Sequence, residues 1–449
     1  MKTIHFLCSS AKLTAAIVIG MMAFALSPAS AVPAFTAKTN QPCAACHVGG
    51  FGPQLTPFGR KFKLDGYTMD AGTNAFPVSA MAVSSFVTSA KAQDTPPAEH
   101  YTTNNNFSLD QVSLFVAGGI GDHFGGFVQL TYDGVGRSFS WDNADFRVTN
   151  HFTLSGDDLL LGLSVNNNPG VQDVWNTLPA WGFPYTTSAL APAPAVSTML
   201  DGGFAQGVIG ATVYAYWNSS VFAEAGLYVT PADRFLIAMG STNGPGSISG
   251  VAPYFRIAYT KDYGDQNFQL GGFGFFPSIN PGGDSSTGKT DSYSDIGIDG
   301  SYQFMGDSDN IYTANLRYTH EIQNLDASVL LGNSANSSNT LDDFRIDASY
   351  YWHNLIGGTV QLFNTVGSVD ALLYPDSSRF APNSTGVMFQ IDATPWGQGD
   401  AMLGGRLNLR VGVQYTLYTR FNGAGSNYDG AGRNASDNNT LRIFTWLAL

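Results

Sequence analysis

The 449-residue chain carries 34 acidic against 21 basic residues, a formal net charge of −13, which argues against a nucleic-acid partner. Only 12% of the residues are charged, about half the share of ~25% usual in soluble domains, while 13% are aromatic and 51 are glycine. This composition indicates a chain embedded in a membrane and argues against two or three soluble domains.

Residues 1–31 are predicted to be a secretory signal peptide. The run Thr14–Leu26 is apolar, and Ala29 and Ala31 supply the small residues of a cleavage site. Cys8 precedes the apolar run, so it leaves with the signal peptide. Two of the three cysteines of the sequence therefore remain in the exported chain.

These two cysteines form the motif Cys43-Ala44-Ala45-Cys46-His47. In an exported protein, Cys-x-x-Cys-His is the attachment signature of a c-type haem, because two thiols one helical turn apart bond to two vinyl groups of one porphyrin. We expect one covalently attached haem c, bound through Cys43 and Cys46, with His47 as the proximal iron ligand. The alternatives are a disulfide, a zinc site, which needs two more ligands, and a thioredoxin-like pair, which needs a βαβ setting.

Residues 32–77 are predicted to be a small, mostly helical cytochrome c segment. Its helical candidate is residues 58–65, ended by Gly66. A segment of this size buries too little surface to be stable alone. We therefore expect it to fold into the domain that follows, as a plug that places the haem at the mouth or in the lumen of that domain.

Residues 78–449 are predicted to form a transmembrane β-barrel. The exported chain has no run of ~18 apolar residues, and a membrane protein without such a helix must be a closed barrel. Segments of about ten residues alternate in hydrophobicity instead. In residues 407–417, for example, one face is apolar and the other carries Asn408, Arg410 and Gln414.

The expected fold class is all-β, a 16-stranded antiparallel barrel. We place the strands at about 78–91, 107–118, 123–133, 143–154, 158–166, 205–217, 220–230, 251–262, 266–276, 292–304, 310–323, 341–353, 355–367, 385–395, 405–420 and 438–449.

Long and short connections between these strands are predicted to alternate strictly, as in bacterial outer-membrane barrels. This pattern predicts an outer-membrane location, contact with outer-membrane lipid and two periplasmic termini. Loop 167–204 contains five prolines, so it is a surface or folded-in loop and not a strand. Charges of both signs on the inner faces, such as Arg345 and Asp347, suggest a polar, water-filled lumen.

The sequence resembles the outer-membrane cytochrome-porin fusions of iron-oxidising bacteria. The resemblance rests on the signal peptide, the haem motif, the run Pro57-Phe-Gly-Arg-x-Phe-Lys-x-x-Gly-Tyr67 and the porin-like pattern. It implies an electron conduit that accepts electrons from an extracellular donor, most plausibly Fe(II), and passes them to a periplasmic electron carrier. It also implies the roles of Cys43, Cys46 and His47 given above.

Two other functions stay open at this stage. The first is a diffusion porin in which the haem segment is a plug or redox gate. The second is outward delivery of electrons to an extracellular acceptor by the same architecture. Whether the protein is an enzyme in the sense of an Fe(II) oxidase depends on this choice. No arrangement typical of a hydrolase is visible in the sequence.

The sixth iron ligand has several candidates. Met81 is the first choice and Met69 the second, because a thioether ligand raises the haem potential and suits acceptance of electrons from Fe(II). His151 and His353 are rivals near the periplasmic ends of their strands. The basic residues of the short helix, Arg60, Lys61 and Lys63, are either haem propionate partners or a solvated helix face.

Overall fold

The computed structural model describes residues 33–69, 72, 78–306, 309–398 and 407–449. The predicted signal peptide, residues 1–31, lies outside the described residues. The strands are β1 Val78–Ser89, β2 Asn106–Ile120, β3 Phe124–Asp133, β4 Ser138–Leu154, β5 Asp157–Asn166, β6 Ile209–Trp217, β7 Val221–Val229, β8 Gly246–Ile248, β9 Ala252–Tyr263, β10 Gln266–Phe275, β11 Ser278–Pro281, β12 Asp291–Phe304, β13 Asn310–Asn324, β14 Ser338–Trp352, β15 Ile356–Gly367, β16 Ser384–Ala393, β17 Asn408–Arg420 and β18 Thr440–Ala448.

The helices of the described residues are short. They are α1 Pro33–Thr39, α2 Cys43–Cys46, α3 Pro57–Leu64, α4 Asp233–Ala238 and α5 Asp326–Leu331, with 3₁₀ turns at Pro179–Trp181 and Ala435–Asn438 and a distorted helical turn at Met199–Gly203. None of the helices in this part of the chain is long and apolar enough to cross a bilayer.

Sixteen of the strands in the described residues form one closed antiparallel barrel, which confirms the predicted fold class. Each strand pairs with its neighbours in chain order, and the first pairs with the last. In this closing seam the register runs from Met81 opposite Ala448 to Ser89 opposite Thr440. Closure leaves no strand edge in the wall, as a membrane-spanning sheet requires.

Side chains alternate between the two faces of the wall, as the sequence predicts. In β17, Val411, Val413 and Tyr415 face outward and are 38%, 45% and 38% exposed, whereas Arg410 and Gln414 face inward and are buried. Apolar residues on the outer face and polar residues on the inner face are the pattern of a transmembrane barrel. The wall therefore presents an apolar surface to lipid.

Two further strands lie outside the sixteen. β8 and β11 have 3 and 4 residues and pair with each other through Ile248 and Ile279, which extends two loops beyond the wall. They are too short for alternation to be visible in the sequence, so they were not predicted.

The prediction that long and short connections strictly alternate is wrong at two places. Connection 134–137 is a tight turn at the end where the long loops lie, and connection 394–407 is long at the end where the short turns lie. The other connections do alternate. We call the two ends of the barrel the long-loop end and the short-turn end.

Two segments fill the interior of the barrel. We call residues 33–69 the plug and residues 167–208 the inner loop. The plug lies at the short-turn end, where Gly49 N donates to Asn354 Oδ1 at 2.8 Å in the turn between β14 and β15. The inner loop enters from the opposite end and meets the plug, because Leu55 N donates to Asn176 Oδ1 at 2.9 Å. The proline-rich loop 167–204 was predicted to lie on the surface or to fold inward, and it folds inward.

The charged residues of the lumen face inward as expected, and several of them are buried instead of lining an open pore. Arg256 is fully buried and pairs with Asp299 at 2.5 Å and with Asp173 of the inner loop at 3.4 Å. Arg147 is likewise buried and pairs with Asp145 at 2.9 Å. Sequence alternation predicts which residues face inward, but it cannot predict that the plug and the inner loop cover them.

Candidate functional site

The Cys-x-x-Cys-His motif forms a single helical turn, α2. His47 N donates to Cys43 O at 2.9 Å, and Ala45 N donates to Pro42 O at 2.9 Å. This turn places the two cysteines on one side, both with free, partly buried thiols. His47 then leaves the helix in an extended conformation, with φ −125° and ψ 135°. Its side chain lines the same cavity as the two cysteines.

The turn α2 is fixed against the following helix, α3. Thr56 caps α3, because its Oγ1 accepts from Gly59 N at 3.2 Å, and Pro57 fits the first helical position. Thr56 also donates to Ala45 O at 2.6 Å. At Gly59 a Cβ would collide with the carbonyl group of Cys46, so only glycine permits the two helices to approach this closely.

Arg410 holds the loop after the motif. Its Nη2 donates to Gly49 O at 2.9 Å and to Phe51 O at 2.5 Å, and its guanidinium lies over the Phe51 ring at 5.4 Å. Arg410 is 2% exposed and also pairs with Asp392 at 3.3 Å. One buried wall residue thus ties the segment after His47 to strand β17.

A cavity of about 350 Å³ lies between the plug, the wall and the inner loop. Cys43, Cys46 and His47 all line it, and the rest of its lining is mainly apolar. The aromatic lining residues include Phe35, Phe51, Phe62, Phe127, Trp181 and Trp446. Cofactor sites usually have volumes of ~300–1,000 Å³ and an apolar lining with a few polar groups, so this cavity has their size and character.

The donor set at this cavity fits a c-type haem. Burial raises the pKa of the Cys46 thiol to about 12, and the neighbouring Cys43 acts in the same direction. Burial also lowers the pKa of His47 to about 4, with a further contribution from the charge of Arg410. The imidazole is therefore neutral, which is the form that binds a metal ion. Its Nδ1 is buried without a hydrogen-bond partner among the described residues.

The structure separates the candidates for a second axial ligand. Met81 of β1 lines the cavity, and its Sδ lies 3.9 Å from Gln111 Nε2. Met69 is 42% exposed and is not among the lining residues. His151 lies outside the cavity between Asp65 at 3.3 Å and Asp158 at 3.0 Å.

His353 is also outside the cavity, in the turn after β14, where it pairs with Asp309 at 2.7 Å. Among the residues that the structure describes, no group of three or more histidine, cysteine or acidic side chains is arranged to hold a metal ion.

The three basic residues of α3 have different environments. Lys61 is exposed and pairs with Asp65 at 2.6 Å. Arg60 is buried against the wall and donates to Asn267 and, at 3.5 Å, to Ser301. Lys63 is buried and lines the cavity. The hypothesis of a solvated helix face therefore applies to Lys61 alone.

Comparisons with known proteins find likenesses in structure. No protein-family model matches the sequence, and no curated protein matches it. Similar solved structures include an anion-selective porin from Comamonas acidovorans (12% identity, TM-score 0.44, covering 83% of this chain and 98% of that chain). The channel DcaP of Acinetobacter baumannii (11%, 0.44, 83% and 96%) and OmpT of Vibrio cholerae (9%, 0.43, 86% and 100%) are also similar.

The fold of the described residues is a closed, 16-stranded antiparallel β-barrel.

Sequence reasoning missed the contribution of the inner loop to the site. Asn176 Nδ2 donates to Pro53 O at 2.9 Å, and Trp181 Nε1 donates to Val171 O at 2.6 Å beside the cavity. The prolines and tryptophans of this loop were the sequence signal that it folds into the barrel, since aromatic residues in a polar solvated loop would be unfavourable. Alternation in the flanking strands contains no information about where such a loop folds.

Proposed function

We propose that the chain is a bacterial outer-membrane cytochrome in which one covalently attached haem c lies within the barrel and conducts electrons across the membrane. Cys43 and Cys46 would hold the haem, and His47 would bind its iron. The observation that supports this proposal is the position of these three side chains on one mainly apolar cavity inside the barrel.

The surrounding protein suits a cofactor that must be shielded from lipid. The wall beside the cavity comes from strands at the seam of the barrel, including Met81 of β1 and Trp446 of β18. Residues of the inner loop, such as Trp181, and of the plug, such as Phe51, line the cavity as well. A bound haem c supplies one-electron exchange at its iron. A buried, low-dielectric site favours such exchange because little solvent must reorganise around it.

We propose Met81 as the second axial ligand. Its thioether lines the cavity on the side formed by β1, and Gln111 restricts its position. Thioether ligation raises the potential of a haem, so Met81 suits a site that accepts electrons from a moderate reductant.

The proposed direction is inward. The resemblance noted in the sequence implies an extracellular donor, Fe(II), and a periplasmic carrier as acceptor. Short turns face the periplasm in bacterial barrels, so the plug would lie at the periplasmic end. In each transfer, one Fe(II) outside loses an electron to the site, and one oxidised carrier in the periplasm gains it.

Haem attachment is tested first. We expect the purified wild-type protein to retain haem after denaturation and acid-acetone extraction, at one haem per chain by its absorption in alkaline pyridine. Cys43→Ala/Cys46→Ala should contain no covalent haem, whereas Met69→Ala, outside the cavity, should contain as much as the wild type. A wild-type protein without haem would reject the proposal.

Electron transfer is then measured across a membrane. Liposomes would contain an oxidised soluble c-type cytochrome, with the protein inserted so that its short-turn end faces inward, and Fe(II) would be added outside. We expect reduction of the enclosed cytochrome by the wild-type protein and none by Cys43→Ala/Cys46→Ala. Reduction only of external acceptors by an enclosed donor would favour outward delivery instead.

The same vesicles separate a conduit from a diffusion porin. Sugar influx, followed by liposome swelling, should be small in the wild type because the plug and the inner loop fill the lumen. Rapid influx that depends on the redox state of the haem, without electron transfer to the enclosed cytochrome, would show that the haem segment is a gate.

A further inference from the structure

Lys63 of α3 is a buried ammonium group at the edge of the cavity. It is 6% exposed, and its Nζ donates to Val171 O at 2.7 Å and to Asp173 O at 2.9 Å. The Nζ also lies 4.9 Å from the centre of the Trp181 ring. Two of the three N–H groups of the ammonium thus donate to uncharged backbone carbonyls, and the same side chain lines the cavity.

No carboxylate compensates this charge directly. Within the residues that the structure describes, Lys63 forms no ion pair, and the nearest acidic groups have other partners, except for Oε2 of Glu224, which has none. Asp145 pairs with Arg147 at 2.9 Å, Asp173 pairs with Arg256 at 3.4 Å, and Glu224 accepts from Thr212 at 2.6 Å. A buried ammonium without a counter-ion is unfavourable. Burial accordingly lowers the pKa of Lys63 to about 7, and the charge of Arg147 contributes.

The position of Lys63 on α3 relates it to the haem motif. Gly59 contacts Cys46, and Lys63 follows it by four residues, which places both on the same side of the helix. Gly59 and Lys63 both line the cavity. Lys63 therefore lies one helical turn further along the cavity than the point where α3 touches the attachment motif.

We infer that Lys63 binds a carboxylate of the haem and supplies its counter-charge. The inference rests on the proposed function, because the ligand is the haem named there. Haem carries two carboxylates on the edge opposite its two vinyl groups, so attachment through Cys43 and Cys46 directs the carboxylates away from the motif. A buried cation further along the cavity is a complementary partner for one of them.

The first test is the reduction potential of the holoprotein. Replacement by Lys63→Met removes a positive charge near the haem, so the reduced state becomes less favourable. We expect the equilibrium constant for haem reduction at pH 6 to fall about tenfold, which is ~59 mV for one electron. Lys61→Met, an exposed lysine on the same helix, should change it less than twofold. An equally small change in Lys63→Met would overturn the inference.

The second test uses the sign of the stability change. In holoprotein, Lys63→Met should lower the thermal unfolding midpoint, because it leaves a haem carboxylate unpaired. In the haem-free Cys43→Ala/Cys46→Ala chain, the same substitution should leave the midpoint unchanged or raise it, because it removes an uncompensated buried charge. A purely structural lysine would give the same sign in both, and that result would contradict the inference.

The two proposals fail in different ways. Absence of covalent haem from the wild-type protein would reject the proposed function. Normal haem content in Lys63→Met, with an unchanged potential, would leave the proposed function intact and reject the role of Lys63. If the haem-free chain did not fold, the reduction potential of the Lys63→Met holoprotein would still test the role of Lys63.

Discussion

Replacement of Arg410 by methionine should release the loop that follows the haem motif. Arg410 lies on the wall and donates to Gly49 O at 2.9 Å and to Phe51 O at 2.5 Å. Arg410→Met keeps much of the apolar stem but removes both donors and the partner of Asp392. The two carbonyls lose their buried partner, while Asp392 keeps acceptor bonds from Tyr351 and Gln390.

The magnitude follows from these contacts. Arg410 donates two hydrogen bonds to the loop, and a hydrogen bond to a charged group contributes ~1.5–3 kcal/mol. The two together contribute ~3–6 kcal/mol, so we take about 4 kcal/mol for local opening of the loop. Each 1.4 kcal/mol is a factor of ten, so the open population should rise about a thousandfold.

Amide hydrogen exchange of a peptide covering residues 48–56 measures this opening. Val48 N and Thr56 N donate to Gln54 O at 3.0 Å and to Cys46 O at 2.9 Å, so both exchange only when the loop opens. The matched control is Arg420→Met, since Arg420 lies on the same strand and is exposed. Exchange that accelerates less than threefold in Arg410→Met, or equally in the control, would refute the reasoning.

Three further predictions concern packing, ligation and pH. Gly59→Ala should lower the free energy of unfolding in urea by ~1–3 kcal/mol because its Cβ collides with backbone, whereas Gly272→Ala, whose nearest atom is at 3.5 Å, should change it by less than ~1 kcal/mol. Met81→Ala should lower the haem potential in a redox titration and Met69→Ala should not, and the reverse order would exclude Met81 as a ligand. Asp370 accepts from six donors, five in two long loops and one at the start of β14, which hold the pKa of its carboxyl below its ordinary value despite burial. Its contribution to stability should therefore be complete above about pH 5 and decline as the pH falls through the folded pKa. The rate of pepsin cleavage in these loops, divided by its rate on an unfolded peptide at the same pH, should be higher at pH 2 than at pH 4 in the wild type and equal at both in Asp370→Asn.

The barrel was predictable from the sequence because each wall strand repeats one local rule. Alternation in residues 407–417 assigns Arg410 to the inner face and Val411 to the outer face, and the structure agrees. The same rule applies to every strand long enough to show a period of two. β8 and β11 have three and four residues, at most two periods, so no pattern distinguishes them from loop.

Of the candidate site, only the Cys-x-x-Cys-His motif was predictable from the sequence. The spacing of Cys43, Cys46 and His47 is local information, and a helical turn brings them together. The contacts of Arg410 with Gly49, and of Asn176 with Leu55, join residues more than a hundred positions apart. Neither has a sequence signature, because any inward-facing polar side chain near the short-turn end can make such a contact.

The short connection between the plug and the wall has a further consequence. Met69 and Val78, the first residue of β1, are nine residues apart in sequence, and a fully extended chain spans at most ~3.6 Å per residue. A plug that left the lumen would therefore stay within about 32 Å of its attachment to the wall. At such a distance a tethered segment has an effective concentration near the millimolar range, far above that of any freely diffusing competitor. A plug that dissociated from the lumen would therefore rebind quickly, and it would rebind in its own barrel.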